Sequence, residues 1–219
     1  MKIKTEKSTY REVMARERNE RKKPVRPNIL FRSLIYILSQ PSMRKTHFSV
    51  REKGMEKLGK KEPCLVLMNH SSFIDLKIAS TLLYPRPFNI ICEADGFVGK
   101  EWLMRQIGCI PTHKFVSETA LVKDMMYTVR TLKSSILLYP EASYSFDGTS
   151  PTPLPESLGK CIKLLKVPVV MIRTYGAFQR DPLYNLLKLR NVDVSADMEY
   201  LLSPEEIASL TADDINSLV

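Results

Sequence analysis

Four short, largely apolar runs recur along the chain: CLVLM (64–68), FNIIC (88–92), SILLY (135–139) and VPVVMI (167–172). Each is strand length and shows no alternation of polar and apolar positions. A strand that is greasy on both faces must be covered on both faces. Between the runs lie segments with helical signals. A helix is expected near 72–83. GFVGKEWLMRQIG reads as another after Asp95, with Gly108 placed to end it. SETALVKDMMYTVRTLKSS carries apolar residues at 121, 122, 125, 126, 129 and 132, with Ser117 as a cap, and SLGKCIKLLK reads as helix too. Strands and helices taking turns predict an α/β fold: one domain with a mostly parallel or mixed sheet under helices. THFSV and the very short CIP are minor strand candidates. VDVSADMEYLL alternates with period two and reads as an edge or half-exposed strand. SPEEIASL opens with a helix-capping signature.

The charge is uneven. Of 33 Lys/Arg and 24 Asp/Glu, residues 1–53 hold 15 and 5, so the net +9 resides in that segment and the body is near neutral. This divides the chain into a basic, partly apolar arm (1–45) and a single folded domain (46–219). The run Ile29–Leu38, interrupted by Arg32 and Ser33, is too short to span a bilayer. With cations before, within and after it, an interfacial helix on the cytoplasmic face of a phospholipid membrane is expected, the alternative being a helix packed on the core. Nucleic-acid binding would need cations and stacking aromatics on the body, whose near-zero charge argues against it. Four cysteines without CxxC spacing predict no zinc site and a reduced compartment. The polar N-terminus predicts no signal peptide.

Polar clusters come after three of the strands: Asn69–Asp75, Pro111–Lys114 and Pro140–Ser145. In parallel sheets such loops emerge at one edge, where sites collect. His70 and Asp75 would point about 140° apart on one continuous helix. They meet only if His70 sits in a turn and Asp75 in the first turn of the helix, capped by Ser71 or Ser72. Asp75 would then fix the imidazole tautomer and leave the other nitrogen to accept a proton. The same residues fit a plainer arrangement, a near capping box in which Asp75 satisfies helix amides.

Asn69-His70-x4-Asp75 after an apolar strand resembles the first signature of the glycerolipid acyltransferases, the 1-acylglycerol-3-phosphate (lysophosphatidic acid) acyltransferase family. Three more blocks stand in that family's order. Gly108-Cys-Ile-Pro-Thr-His-Lys114 resembles the second, Leu138-Tyr-Pro-Glu-Ala-Ser143 resembles Phe-Pro-Glu-Gly-Thr-Arg, and Val167-Pro-Val-Val170 resembles the fourth. The likeness covers residues 46–180. It implies a peripheral O-acyltransferase without cofactor or metal. His70, oriented by Asp75, would deprotonate the hydroxyl of a lysolipid acceptor, which would attack the thioester of acyl-CoA or acyl carrier protein. Backbone amides of Asn69–Ser72 or Glu141–Ser143 would hold the oxyanion.

The resemblance also implies that Lys114, otherwise a solvated surface lysine, contacts the acceptor phosphate. Glu141 and Ser143 would belong to the acceptor site, although Glu141 fits equally as a carboxylate supporting its loop. His113 and Tyr175 read as polar residues serving nearby loops. Two departures stand out. Ala142 replaces a Gly that would take positive φ readily. Tyr144 replaces an Arg, exchanging a phosphate-gripping guanidinium for a phenol. Arg130, Arg173 or Lys160 would have to supply the missing charge, or the acceptor is a different lysolipid or a less charged hydroxyl compound. A serine hydrolase would need GxSxG and a nucleotide-binding protein a P-loop, and the sequence has neither. A non-enzymatic lipid-binding protein would not need His70 and Asp75.

Overall fold

A computed structural model describes residues 22–93, 100–112, 119–145, 147–149, 154–180 and 189–219. In chain order the elements are α1 (Ile29–Lys45), β1 (Ser49–Lys53), a 3-10 turn (Met55–Lys57), β2 (Leu65–Met68), α2 (Asp75–Leu83), β3 (Phe88–Glu93), α3 (Glu101–Gln106) and β4 (Cys109–Thr112). They continue with α4 (Thr119–Arg130), β5 (Ser135–Leu138), α5 (Ser157–Leu165), β6 (Val169–Tyr175), α6 (Ala177–Arg180), β7 (Ser195–Leu202), α7 (Pro204–Ser209) and α8 (Ala212–Leu218). The seven strands form one mixed sheet in the order β1-β7-β6-β2-β5-β3-β4. All neighbours are parallel except β6 and β7.

The continuous apolar runs became the interior of this sheet. Leu65, Val66, Leu67 and Met68 are all fully buried. Side chains alternate across β2, so Val66 and Met68 join the core under α1 and α2, while Leu65 and Leu67 join the core under α4, α5 and α8. Burying a Leu or Ile on either face contributes about 2 kcal/mol of transfer free energy. That explains why four residues without alternation suffice to fix the central strand.

Two strand readings need correction. Of the two readings of VDVSADMEYLL the half-exposed strand holds and the edge does not: β7 lies between β1 and β6. Its alternation arises because Ala196, Met198 and Leu202 are buried while intervening residues stay half-exposed. THFSV is displaced by three residues, since Thr46 and His47 turn the chain out of α1 before β1 begins. Among the described residues the strand β1 pairs only with β7, and it is exposed throughout. Charged pairs fasten it there: Arg51 grips Asp197 through two hydrogen bonds and Lys53 reaches Glu199 at 2.6 Å.

The helix expected at 72–83 starts at Asp75 with Ile74 as its cap residue, and Ser72 makes no cap bond; its hydroxyl instead donates to Ala177 O. The capping signature at Ser203 is realised in full: Ser203 Oγ accepts from Glu206 N and Ser203 N donates to the Glu206 carboxylate. Ser117, the expected cap of α4, lies outside the described residues.

The helix α1 packs on α2 with one face. Tyr36 stacks on Tyr84, Gln40 contacts Thr81, and Met43 enters the core. Its other face carries Leu30, Leu34, Ile37 and Leu38 into solvent, Leu30 being 76% exposed. Preceding residues are tied to the body as well. Asn89 donates to Val25 O, Arg105 to Lys23 O, and Asn28 N to Gln106 O.

On the opposite face of the sheet, α5 and α8 cross at Gly159. A Cβ there would lie 2.1 Å from Ala212 O, and Gly159 N donates to Asn216 Oδ1. Gly159→Ala is therefore expected to destabilise the protein by about 2 kcal/mol through overpacking of this crossing. A lowered urea midpoint at unchanged m-value is the measurement that checks it.

Candidate active site

The parallel strands β2, β5 and β6 end at the same edge of the sheet, and the loops leaving them assemble the site. Met68 is in register with Ile172, and Leu67 with Leu138, so the three loops start side by side. The turn after β2 is held by Asn69. Its Oδ1 accepts from Thr174 N at 2.7 Å and from the Thr174 hydroxyl, while its Nδ2 donates to Thr174 O. This side-chain bridge takes the place of strand pairing where β2 stops and the chain bends toward α2.

The bend brings His70 and Asp75 together. His70 Nδ1 lies 2.9 Å from Asp75 Oδ2. The same oxygen accepts from Ser71 N at 2.7 Å and from Ser72 N at 3.0 Å. The two arrangements left open by the sequence thus occur together: one carboxylate oxygen satisfies the amides of the turn and meets the imidazole. Asp75 is 1% exposed and among the described residues its Oδ1 has no hydrogen-bond partner, so its charge is directed at those three donors. His70 remains 20% exposed along its side chain.

Two aromatic rings fix the imidazole plane. Tyr139 stacks on it with centroids 4.0 Å apart, and Tyr144 lies 3.8 Å away. Near-parallel rings at such distances cannot share one face, so His70 is held between them. Burial, followed by the nearby Asp75 charge, pushes the Tyr139 phenol well above its usual range, so it stays neutral and does not compete as an acid. Tyr144, at the position of the family's Arg, therefore covers the imidazole. Beyond it, Phe73 approaches the Tyr144 ring at 5.6 Å.

The loop after β5 bends sharply. Ala142 takes a left-handed conformation, φ +52°, with its N–H bonded to Tyr139 O. The backbone that Gly would adopt freely is adopted by Ala, at a cost of about 1 kcal/mol. Ser145 N donates to His70 O at 2.7 Å and locks this loop to the turn after β2. Glu141 is buried and lines a cleft of about 430 Å³, together with Asn69, Ser145, Leu154, Arg173 and Tyr175. Ser143 Oγ donates to Glu141 O at 3.3 Å.

Several expectations shift. The amides of Ser71, Ser72 and Ala142 already have acceptors, which removes them from the oxyanion-binding candidates. His113 and Lys114 lie outside the described residues. Arg130 donates to Leu164 O at the far edge, where α4 and α5 end before their strands begin. Tyr175 bonds Asp197 through its hydroxyl at 3.1 Å. Sequence reasoning gave Thr174 no role, although Asn69 depends on it. Its only signal was position, two residues beyond the last apolar residue of the VPVVMI run. Among the described residues no group of three or more His, Cys, Asp or Glu could hold a metal.

Asp75→Ala would strand two buried amides and leave His70 without its orienting partner. It is expected to destabilise the fold by about 2–3 kcal/mol, while Asp75→Asn, which keeps an acceptor oxygen, costs less. Denaturant unfolding of both variants checks the order.

A family model for acyltransferases matches residues 49–174. No curated protein matches the sequence. Among solved structures, the fold is similar to that of the 1-acyl-sn-glycerophosphate (LPA) acyltransferase PlsC from Thermotoga maritima, with a TM-score of 0.62 at 16% identity, over 85% of this chain and 77% of that one. The family match spans more than half of the chain, from β1 through the Asn69–Asp75 turn to Thr174: this protein belongs to the Acyltransferase family.

Proposed function

We propose that the protein transfers a fatty acyl group from an acyl-CoA or acyl-carrier-protein thioester to the hydroxyl of a lysophospholipid, with 1-acylglycerol-3-phosphate as the acceptor class, and that His70 is the general base. The observation that carries this reading is the contact between His70 Nδ1 and the buried Asp75 carboxylate. A hydrogen bond at Nδ1 leaves Nε2 as the basic nitrogen. Nε2 takes the acceptor's hydroxyl proton as its oxygen attacks the thioester carbon. Collapse of the tetrahedral intermediate forms the ester C–O bond and breaks the C–S bond. The imidazolium then returns the proton to the leaving thiolate. Asp75 stabilises the imidazolium and holds its orientation, and Tyr139 and Tyr144 prevent the ring from turning. Glu141 and Ser143 border the acceptor, with Lys114 as a further contact to its phosphate. No cofactor takes part.

The reaction joins two amphiphiles, which calls for a lipid surface. The exposed stripe of Leu30, Leu34, Ile37 and Leu38 on α1 supports docking there, extended by Trp102 of α3, whose ring meets Phe31 at 6.0 Å. Exposed Lys22, Lys23, Arg26, Arg44 and Lys45 add attraction to anionic headgroups. Arg32 does not join them, because its Nη1 donates to Pro85 O. Among the described residues no helix is long and apolar enough to cross a membrane. In this reading the arm 1–45 lies on the cytoplasmic leaflet, with 46–219 as the catalytic domain.

In a thiol-release assay with acyl-CoA and lysophosphatidic acid, His70→Ala is expected to lower kcat by about 100-fold or more at nearly constant KM. Equal turnover by the variant would refute the assigned base. The double variant Leu34→Glu, Leu38→Glu is expected to lose binding to anionic vesicles while retaining its melting temperature, since both side chains face solvent. Cosedimentation with phosphatidylserine-containing vesicles reads this out.

A further inference from the structure

A general base becomes a cation when it takes its proton. For His70 that charge forms on a side chain only 20% exposed, so little water is at hand to solvate it. Asp75 meets the imidazole at one edge, through Nδ1. Its two faces are covered by Tyr139 and Tyr144, with centroids 4.0 and 3.8 Å away and interplanar angles of 20° and 31°. Among the described residues these are the titratable groups in contact with the ring: Asp75 from the start of α2, and Tyr139 and Tyr144 from the loop that leaves β5.

The face of an aromatic ring carries negative potential, and a cation within about 6 Å of its centroid is attracted to it. Both tyrosines lie inside that distance, one on each side. The Tyr144 ring is itself braced by Phe73 at 5.6 Å. The resembling motif has Arg at this position. A guanidinium at the same distance would oppose the charge that forms on His70, whereas a phenol ring favours it.

We propose that Tyr144 is a positioning residue whose ring face stabilises the imidazolium of His70, as the outer half of a cation–π sandwich completed by Tyr139. Its role in turnover rests on the acyl-transfer reading above. The attraction between ring and charged imidazole does not, and it can be measured without substrate.

Tyr144 is half-buried, so its replacement leaves the core intact. Tyr144→Leu is expected to lose about 2–4 °C more of melting temperature at pH 5, below the ordinary range of an imidazole, than at pH 8, above it. The sign follows because the ring face attracts only the protonated form. In a His70→Ala background the difference between the two pH values should vanish, which excludes Asp75 and Tyr139 as its source. Tyr144→Phe keeps the ring face and should show no such difference. An equal loss at both pH values, or a pH dependence that survives His70→Ala, overturns the proposal. In the thiol-release assay, Tyr144→Leu is expected to lower kcat by about 5-fold at nearly constant KM for acyl-CoA and lysophosphatidic acid, and Tyr144→Phe to recover most of that loss. A loss that falls on KM, or one as large in the Phe variant, overturns the proposal, because Tyr144 would then bind substrate or act through its hydroxyl. If the wild-type protein shows no turnover, the acyl-transfer reading is what fails, and the melting temperatures alone decide whether the sandwich stabilises the charge.

Discussion

One carboxylate oxygen organises the functional edge of this protein. Asp75 Oδ2 receives two backbone amides and the imidazole, all within 3.0 Å. The amides close the turn that redirects the chain from β2 into α2, so the bend and the dyad form together. A buried charge without such donors would carry a large desolvation cost. Folding therefore favours the geometry in which the imidazole meets the carboxylate. This economy explains why the spacing of five residues matters. A shorter turn could not bring Asp75 back over the amides of Ser71 and Ser72, and an uninterrupted helix would turn the two side chains away from each other.

The rest of the edge supports that contact at successively greater sequence distance. Asn69 borrows both backbone polar groups and the hydroxyl of Thr174 to keep the turn beside β6. Ser145 fastens the β5 loop to His70 O, which brings Tyr144 over the imidazole. The left-handed Ala142 belongs to this closure. Strain of this kind persists only where surrounding bonds enforce it. Here they are the Ala142 amide on Tyr139 O and the Ser145 amide on His70 O.

Much of the architecture was legible in the residues. Strands buried on both faces announce themselves as nearly unbroken apolar runs, with Asn89 and Ser135 as buried polar exceptions, and β2, β3, β5 and β6 were readable for that reason. The helix α7 was readable because Ser203 and Glu206 encode their own cap. The strand β7 was legible as either an edge or a half-exposed strand, and only the second holds, because lateral neighbours leave no trace in a period-two pattern. The pairing of His70 with Asp75 was legible as one of two possibilities; it holds, together with the carboxylate-to-amide half of the other, although Ser72 does not cap the helix. What the sequence hid was the company that distant segments keep: Thr174 under Asn69, the two tyrosines around the imidazole, and Arg173 at the cleft. None has a local signature, because each depends on strands that become neighbours only after the sheet assembles.

The pairing of β1 with β7 joins Arg51 to Asp197 and Lys53 to Glu199, residues 146 positions apart in each case. During synthesis, β1 emerges long before its ladder partner β7. Contacts of such separation form late, because a large loop must close before they return any free energy. Until then β1 trails from the nascent chain as a hydrated ribbon whose Arg and Lys side chains discourage mispairing with other chains. Completion of this sheet thus awaits translation of residues near 200, and a ribosome stalled earlier would hold a core whose outer rung is still open.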